Sequence, residues 1–288
     1  MSITDKKIAV IANPLGGYNK CKNLKKFKKH LDPSWPYHEV STPNDIKNAL
    51  IQLAQYAPEI LIINAGDGTV DLIITYLKHN QLLPKCPTLA LLQGGTTNLI
   101  HRDIGMRASP EKAIQQIKNN QAQSIQRKAL KITHDDSHDV LYGFFLGIGA
   151  IPKAIKHTRK TLHQKGWDGK LSELLVFIKL ITRLYLRKDL KTDPILHPVS
   201  FKLNDNQQRC AFLILTTLKK LIAGVKSPAT QNALGALSID EARKLNRMTY
   251  ETITLELKEP WVLDGEFQSE GTIHVTLSED LTFLSDQR

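Results

Sequence analysis

The first 125 residues alternate short apolar runs with amphipathic segments. Three runs are almost wholly apolar, which is typical of strands buried in a parallel sheet, and they occupy residues 7–12, 59–64 and 88–92. Elsewhere apolar residues recur three and four positions apart, which predicts helices over residues 20–31, 45–56, 70–78 and 111–118. Because strands that alternate with helices form βαβ units, this part of the chain predicts a doubly wound parallel sheet.

The pattern changes near residue 125. From there the predicted strands are short and alternate in polarity, at residues 128–134, 140–148, 199–203, 211–218, 249–257 and 271–277. Such strands predict an antiparallel β-sandwich or barrel, which a basic helical segment over residues 152–191 interrupts. We therefore predict an α/β + β protein, with a doubly wound parallel-sheet domain over residues 1–125 and a β-sandwich domain over residues 126–279.

Composition narrows the class of protein. Of the 288 residues 41% are hydrophobic, which is enough for two buried cores. The net charge of +11 favours an anionic partner, namely nucleic acid, a membrane surface or a phosphorylated ligand. The alternative explanation is that the charge only keeps the protein soluble. The three cysteines (Cys21, Cys86 and Cys210) form no CxxC pair, which indicates a reducing compartment. The sequence has no signal-peptide pattern and no apolar run near the ~20 residues of a membrane span, so we expect a cytoplasmic protein.

Glycine-bearing loops follow all three apolar strands of the first domain. They read Asn13-Pro14-Leu15-Gly16-Gly17, Ala65-Gly66-Asp67-Gly68-Thr69 and Gln93-Gly94-Gly95-Thr96-Thr97-Asn98. At the carboxyl ends of parallel strands, glycines let backbone N–H groups approach phosphate oxygens. A tight turn explains one such loop equally well, but three together favour phosphate binding.

Asp67 lies between two glycines directly after a buried strand. An aspartate there suits Mg²⁺ or a phosphate-bound water, and helix capping is the structural alternative. Neither GxxxxGK[ST] nor a GxGxxG after the first strand occurs, which disfavours P-loop NTPases and Rossmann dinucleotide enzymes.

The second domain contributes Asp264-Gly265-Glu266 after an apolar run. A hairpin turn explains Asp-Gly by itself. The functional interpretation is a general base or a metal ligand.

Together these motifs resemble the bacterial diacylglycerol kinase family, which also includes sphingosine and ceramide kinases and is distantly similar to NAD kinases. The resemblance rests on the order of four motifs along nearly the whole chain: Asn13-Pro14-Leu15-Gly16-Gly17, Ala65-Gly66-Asp67-Gly68-Thr69, Gly95-Thr96-Thr97-Asn98 and Asp264-Gly265-Glu266. It implies an ATP-dependent, Mg²⁺-requiring lipid kinase with the active site between its two domains, and a C-terminal tail, residues 280–288, that returns to the first domain.

Residue roles follow from the resemblance. It implies that Glu266 takes the proton of the lipid hydroxyl, while Asp264 positions metal or substrate. The nucleotide would be bound by Asn13, Thr42, Gly66, Asp67, Gly68, Thr69, Gly95, Thr96 and Asn98. Asp67 would also be a catalytic residue, like Glu266 and Asp264, and would touch Mg²⁺ through the nucleotide. The sequence does not distinguish diacylglycerol, sphingoid bases, glycolipids and phosphatidylglycerol as acceptors.

Some positions depart from the family pattern. Ala65 replaces the first glycine of GGDGT, Gln93 replaces a proline, and Leu99 replaces the usual aspartate. In relatives, a DG-x-LD segment binds a structural Mg²⁺, but here Leu234 and Ser238 stand where carboxylates are usual, so we expect that metal site to be absent. The departures keep two alternatives open: an NAD kinase-like enzyme, and a non-catalytic nucleotide- or lipid-binding homologue.

Basic segments suggest the partner. Lysines crowd the predicted helix over residues 20–31, and the segment over residues 152–191 sets an apolar face beside cations. This pattern is typical of a helix lying on an anionic membrane, although a core helix with solvated lysines explains it too. We expect a lipid substrate at a membrane surface and no nucleic acid, since no nucleic-acid motif accompanies the charge. An edge strand of the sandwich could also pair across a homodimer.

Overall fold

The chain divides into two units in the computed structural model, which describes residues 6–20, 23–96, 98–136, 140–163, 193–221 and 225–286. The first unit comprises Met1–Arg127 and Glu279–Arg288, and the second comprises Lys128–Ser278. Cys21 and most of the predicted basic insertion, residues 164–191, lie outside the described residues.

The first unit is built on a mainly parallel sheet. Its strands are β1 (Ile8–Ala12), β2 (Tyr37–Glu39), β3 (Ile60–Ala65), β4 (Thr88–Gln93), β5 (Gln123–Arg127) and, from the end of the chain, β17 (Leu281–Ser285). Their order in the sheet is β2-β1-β3-β4-β17-β5, and only the pairing of β17 with β5 is antiparallel. The helices are α1 (Asn23–Lys28), α2 (Pro43–Tyr56), α3 (Asp67–Lys78), α4 (Leu99–Asp103) and α5 (Pro110–Lys118).

Both faces of this sheet are buried, which is why its central strands are continuous apolar runs. Alternate strand residues such as Val10 and Ile62 pack in one cluster with the apolar sides of α1 and α5. The intervening residues, Ile11 and Ile63 among them, are equally buried on the opposite face. The predicted parallel α/β domain is therefore confirmed.

The second unit is an antiparallel β domain. Its strands are β6 (Leu130–His134), β7 (Val140–Gly143), β8 (Phe145–Gly149), β9 (Val199–Leu203), β10 (Asn206–Thr216), β11 (Leu234–Asp240), β12 (Leu245–Tyr250), β13 (Thr252–Leu257), β14 (Trp261–Leu263), β15 (Glu266–Gln268) and β16 (Gly271–Leu277). Within the described ranges they form one hydrogen-bonded sheet of eleven strands, in the order β15-β14-β8-β10-β9-β13-β16-β6-β7, with β11 on β10 and β12 on β11. The predicted antiparallel β domain is confirmed as well.

One helix, α6 (Ala150–His163), follows β8 and begins the segment predicted to be helical and basic. The predicted strand over residues 140–148 is divided in two at Phe144, whose N–H binds the Asp264 carboxylate. In the part of the chain that the structure describes, no helix is both long and apolar enough to cross a membrane.

Candidate active site

Three of the predicted loops lie side by side in the first unit, because the strands before them are neighbours in register. Ala12 pairs with Asn64 across β1 and β3, and Asn64 pairs with Leu92 across β3 and β4. The loops that follow therefore leave the same edge of the parallel sheet, where ligands of open α/β folds bind.

Asn13 joins the first loop to the second. Its side-chain Nδ2 donates to Thr69 Oγ1 at 3.0 Å, and its Oδ1 accepts from the Leu15 N–H at 2.9 Å. Its backbone N–H donates to the Asn64 carbonyl at 3.0 Å, extending the pairing of β1 with β3 past the end of the strand. Two predicted site residues, 56 positions apart in sequence, are thus in direct contact.

Glycines are required here by close approach of backbones. A Cβ on Gly94 would lie 2.4 Å from the Ala65 nitrogen, and a Cβ on Gly16 would lie 2.3 Å from the Gly94 carbonyl oxygen. A Cβ on Gly95 would lie 2.4 Å from the Gly66 Cα. All these distances are below normal contact, so no larger side chain fits without movement of the backbone.

The second loop opens α3, whose N-cap is Gly66. Gly66 has no side chain to cap the helix, so the first-turn N–H groups of α3, which include those of Asp67 and Gly68, are not satisfied by a capping side chain. Unpaired N–H groups and the positive end of the helix dipole favour an anion at this position.

Asp67 caps a helix, but that helix is α4 rather than α3. Its Oδ2 accepts from the Leu99 N–H at 2.8 Å, and its Oδ1 accepts from the Ile100 N–H at 3.2 Å. Burial raises the pKa of this carboxyl to about 6, against the lowering effect of both hydrogen bonds and of Arg102. Asp67 therefore ties the second loop to the third.

The third loop is held by Asn98, which adopts a left-handed backbone conformation with φ of 50°. Its Oδ1 accepts from the Gly95 N–H at 2.8 Å, and its Nδ2 donates to the Gly95 carbonyl at 2.9 Å. Thr96 lies in the same loop and is half-buried. Gly95 and Asn98, two of the predicted residues of this loop, are thus joined by two hydrogen bonds.

Thr42 has a structural task of its own. Its side chain accepts from the Asp45 N–H, while the Asp45 carboxylate accepts from the Thr42 N–H at 2.9 Å, so the two residues form a capping box for α2. No hydrogen bond in the described residues links Thr42 to the three loops, and its predicted nucleotide contact stays a prediction.

The carboxylates predicted for catalysis lie in the second unit. Asp264 and Gly265 form the two-residue turn between β14 and β15, with φ of 46° and 94°, as Asp-Gly hairpins do. The Asp264 Oδ2 accepts from the Phe144 N–H at 2.6 Å. Glu266 begins β15 and is exposed, so its carboxylate can meet a substrate.

Some residues that take part in these arrangements were not among the predicted site residues, and they include Gly16, Asn19, Asn64, Gly94 and Gly143. Gly143 makes room for the Asp264 side chain, because a Cβ there would lie 2.5 Å from Asp264 Oδ2. Asn64 gave one detectable signal, since it is the one polar residue in the otherwise apolar strand β3. Asn19 gave none.

In the described part of the first unit, the side chains do not form a Mg²⁺ cage. Among the described residues, no three Asp, Glu, His or Cys side chains are grouped so as to hold a metal ion, and both Asp67 oxygens already accept N–H groups. Mg²⁺ commonly reaches such sites on the phosphates of its nucleotide, where it is part of the substrate. In the second unit Leu234 is buried in the core, and the expected absence of the family's structural Mg²⁺ site stays a prediction.

Comparison with known proteins gives a family match for the first unit. Residues 7–129 match the diacylglycerol kinase catalytic domain, which confirms the resemblance stated from the motifs. A solved structure of a diacylglycerol kinase from Bacillus anthracis str. Sterne shares 18% identity with this chain, with a TM-score of 0.66, and the match covers 96% of each chain. A provisionally assigned diacylglycerol kinase from the same source gives 17% identity and a TM-score of 0.68, with 96% of this chain and 97% of that chain covered. At such identities the structural matches establish the fold. A search of curated proteins gave no match.

Proposed function

We propose that this chain, whose residues 7–129 match the diacylglycerol kinase catalytic domain, transfers the γ-phosphate of ATP to the hydroxyl group of a lipid. The observation that supports this most is the contact of three loops at one edge of the parallel sheet, by way of Asn13 with Thr69 and Asp67 with α4. They present the N-terminus of α3, without a side-chain cap, to an anion.

The proposed reaction needs little covalent chemistry from the protein. The lipid oxygen forms a bond to the γ-phosphorus, the bond from that phosphorus to the bridging oxygen of ADP breaks, and the hydroxyl proton passes to a base. We assign that base to Glu266, because it is an exposed carboxylate at a family motif position. General-base assistance of this kind is worth about 10²–10⁴ in rate.

The other acidic residues act by position. Asp264 holds the β14–β15 turn against the Phe144 N–H, and so sets where Glu266 begins β15. Asp67 holds the α4 N-terminus beside the second loop, and its predicted contact with Mg²⁺ through the nucleotide is part of this proposal. When bound, Mg²⁺ would neutralise charge on the triphosphate.

The test is phosphate transfer from γ-³²P-ATP to a mixed lipid extract in detergent micelles, with Mg²⁺. Wild type is compared with Glu266→Gln, and with Glu270→Gln as a matched control, because Glu270 is an exposed carboxylate four residues away. We expect a labelled lipid with wild type and the control, and a loss of at least 10²-fold with Glu266→Gln. Equal turnover by Glu266→Gln would remove Glu266 from the role of base.

Parallel reactions separate the alternatives. Label on NAD rather than on lipid would favour an NAD kinase-like enzyme. Binding of ATP with no transfer to lipid or NAD would favour a non-catalytic homologue, and Ala65 would then be the first residue to revert to glycine.

A membrane surface is the proposed place of reaction. On α1, Lys26 pairs with Glu111 at 3.4 Å and Lys28 pairs with Glu39, whereas Lys25 and Lys29 are exposed beside them. Such a cluster favours anionic lipid. Sedimentation with phosphatidylglycerol vesicles, but not with phosphatidylcholine vesicles, is the expected result, and it should weaken as salt is raised.

A further inference from the structure

Asn19 is a buried asparagine in the loop between β1 and α1, and only 4% of its surface is exposed. Its Nδ2 donates to the Asn13 carbonyl at 2.9 Å and to the Asn64 carbonyl at 3.0 Å. These carbonyls belong to residues at the carboxyl ends of two adjacent parallel strands. One side-chain amide therefore fastens the first loop to the end of β3.

Each of the two carbonyl oxygens needs a hydrogen-bond donor from residue 19, because its other lone pair is already used. The Asn13 oxygen also accepts from the Gly16 N–H at 3.2 Å, and the Asn64 oxygen also accepts from the Asn13 N–H at 3.0 Å. With two lone pairs each, both oxygens are saturated acceptors. The residue between them must supply two donors, which the asparagine amide does and a carboxylate of the same shape does not.

The fastening reaches the proposed phosphate site through Asn13. Its side chain donates to Thr69 Oγ1 at 3.0 Å, in the first turn of α3. Because that oxygen accepts the Asn13 amide, the hydroxyl hydrogen of Thr69 is left to point elsewhere. In the described ranges, Thr69 Oγ1 is found only as an acceptor.

We propose that Asn19 is a positioning residue for the nucleotide, an inference that rests on the proposed function. It holds the Asn13 backbone against β3, so that the Asn13 amide fixes the Thr69 oxygen and directs the Thr69 hydroxyl hydrogen at a phosphate oxygen. Loss of Asn19 then weakens ATP binding without removing any group that touches ATP.

The test is calorimetric titration of the full chain with a non-hydrolysable ATP analogue and Mg²⁺. Asn19→Asp keeps the shape and removes both donors, and Asn48→Asp makes the same change of charge at an exposed position within α2. We expect Asn19→Asp to weaken binding about tenfold or more, in line with the loss of one hydrogen bond to a charged group, and Asn48→Asp to change it less than twofold.

A double-mutant cycle separates positioning from general loosening of the fold. Thr69→Val removes the hydroxyl while keeping the branched shape. If Asn19 acts through Thr69, adding Asn19→Asp to Thr69→Val costs less than about twofold. A tenfold loss in both backgrounds would overturn the proposal, because the effect would not pass through Thr69.

Asn19→Ser extends the test if the aspartate variant fails to fold. One hydroxyl donor can replace one of the two bonds, so we expect an intermediate loss of about threefold that also vanishes in the Thr69→Val background. Undiminished binding by folded Asn19 variants would overturn the positioning role and leave the kinase proposal standing. No ATP binding by wild type would overturn both.

Discussion

The carboxyl group of Asp67 should make stability depend on pH in an unusual direction. Asp67 accepts hydrogen bonds from the Leu99 and Ile100 N–H groups at 2.8 and 3.2 Å. Burial nevertheless raises its pKa from the ordinary 3.8 to about 6. The folded protein therefore holds this proton more tightly than the unfolded chain does. Asp67→Asn removes the ionisable group, so the variant lacks this contribution to the dependence of stability on pH.

The sign follows from the linkage between proton binding and folding. Well below its unfolded pKa of 3.8 the group is protonated in both states, and its contribution to the free energy of unfolding is fully present. As pH rises from about 4 to about 6, the unfolded chain ionises first, so that contribution is lost. A rise from 3.8 to about 6 corresponds to about 3 kcal/mol, and partial exposure of the residue lowers the expected value to about 1–3 kcal/mol.

Urea unfolding from pH 4.5 to 8 measures the difference in unfolding free energy between wild type and Asp67→Asn. Wild type should lose stability relative to the variant up to about pH 6, and no further above it. Hydrogen exchange of the Leu99 and Ile100 amides localises the effect, because these two N–H groups bind Asp67. The ratio of exchange rates in the two proteins cancels the intrinsic dependence of exchange on pH.

Asp45→Asn is a control of opposite sign. The Ser41 N–H, then the Thr42 N–H and the Thr42 hydroxyl, hold the pKa of Asp45 below its ordinary value, so wild type should gain stability relative to this variant as pH rises through the acid range. A pH-independent difference between wild type and Asp67→Asn would refute the reasoning, since burial would then not set the proton affinity of Asp67.

Three further substitutions test the contacts around the candidate site. Gly94→Ala should destabilise the protein by about 1–3 kcal/mol or prevent folding, because the added Cβ would lie 2.4 Å from the Ala65 nitrogen, and thermal unfolding measures this. Asp286→Ala should lower the free energy of unfolding by about 1–2 kcal/mol, because the carboxylate accepts from two backbone N–H groups at 2.8 Å. It should also raise the rate of proteolysis in the C-terminal strand. Gly143→Ala should lower phosphate transfer at least tenfold while largely keeping ATP affinity, since its Cβ would displace the Asp264 carboxylate. Kinetics at varied lipid and ATP concentrations would separate the effect on transfer from the effect on ATP affinity. An equal loss of ATP affinity would contradict this prediction.

Much of the fold could be predicted from the sequence, namely those strands that are buried on both faces or whose buried and exposed residues strictly alternate. β1, β3 and β4 were found because continuous apolar runs identify strands that are covered on both faces. Strands with little apolar signal were missed, and β5 is an example, with no fully buried residue in Gln-Ser-Ile-Gln-Arg. The first half of β10 was missed for the same reason, because residues 206–209 are polar and exposed.

The glycine loops and the acidic residues of the candidate site could also be recognised in the sequence, because phosphate chemistry restricts which residues follow a parallel strand. Their contacts could not. The capping alternative for Asp67 was the next helix, α3, whereas Asp67 caps α4, more than thirty residues away. Its role toward a phosphate stays a prediction.

By itself, the sequence determined the two kinds of sheet and the motifs at their edges, because hydrophobic periodicity and turn chemistry are local properties of the chain. Tertiary structure alone decided that Asn19 spans two strand ends, that Gly16 must admit the Gly94 carbonyl, and that Asp264 binds Phe144. Each of these contacts joins residues whose spacing in sequence carries no information about their separation in space. A buried donor has to find its acceptor wherever the packed backbone brings one.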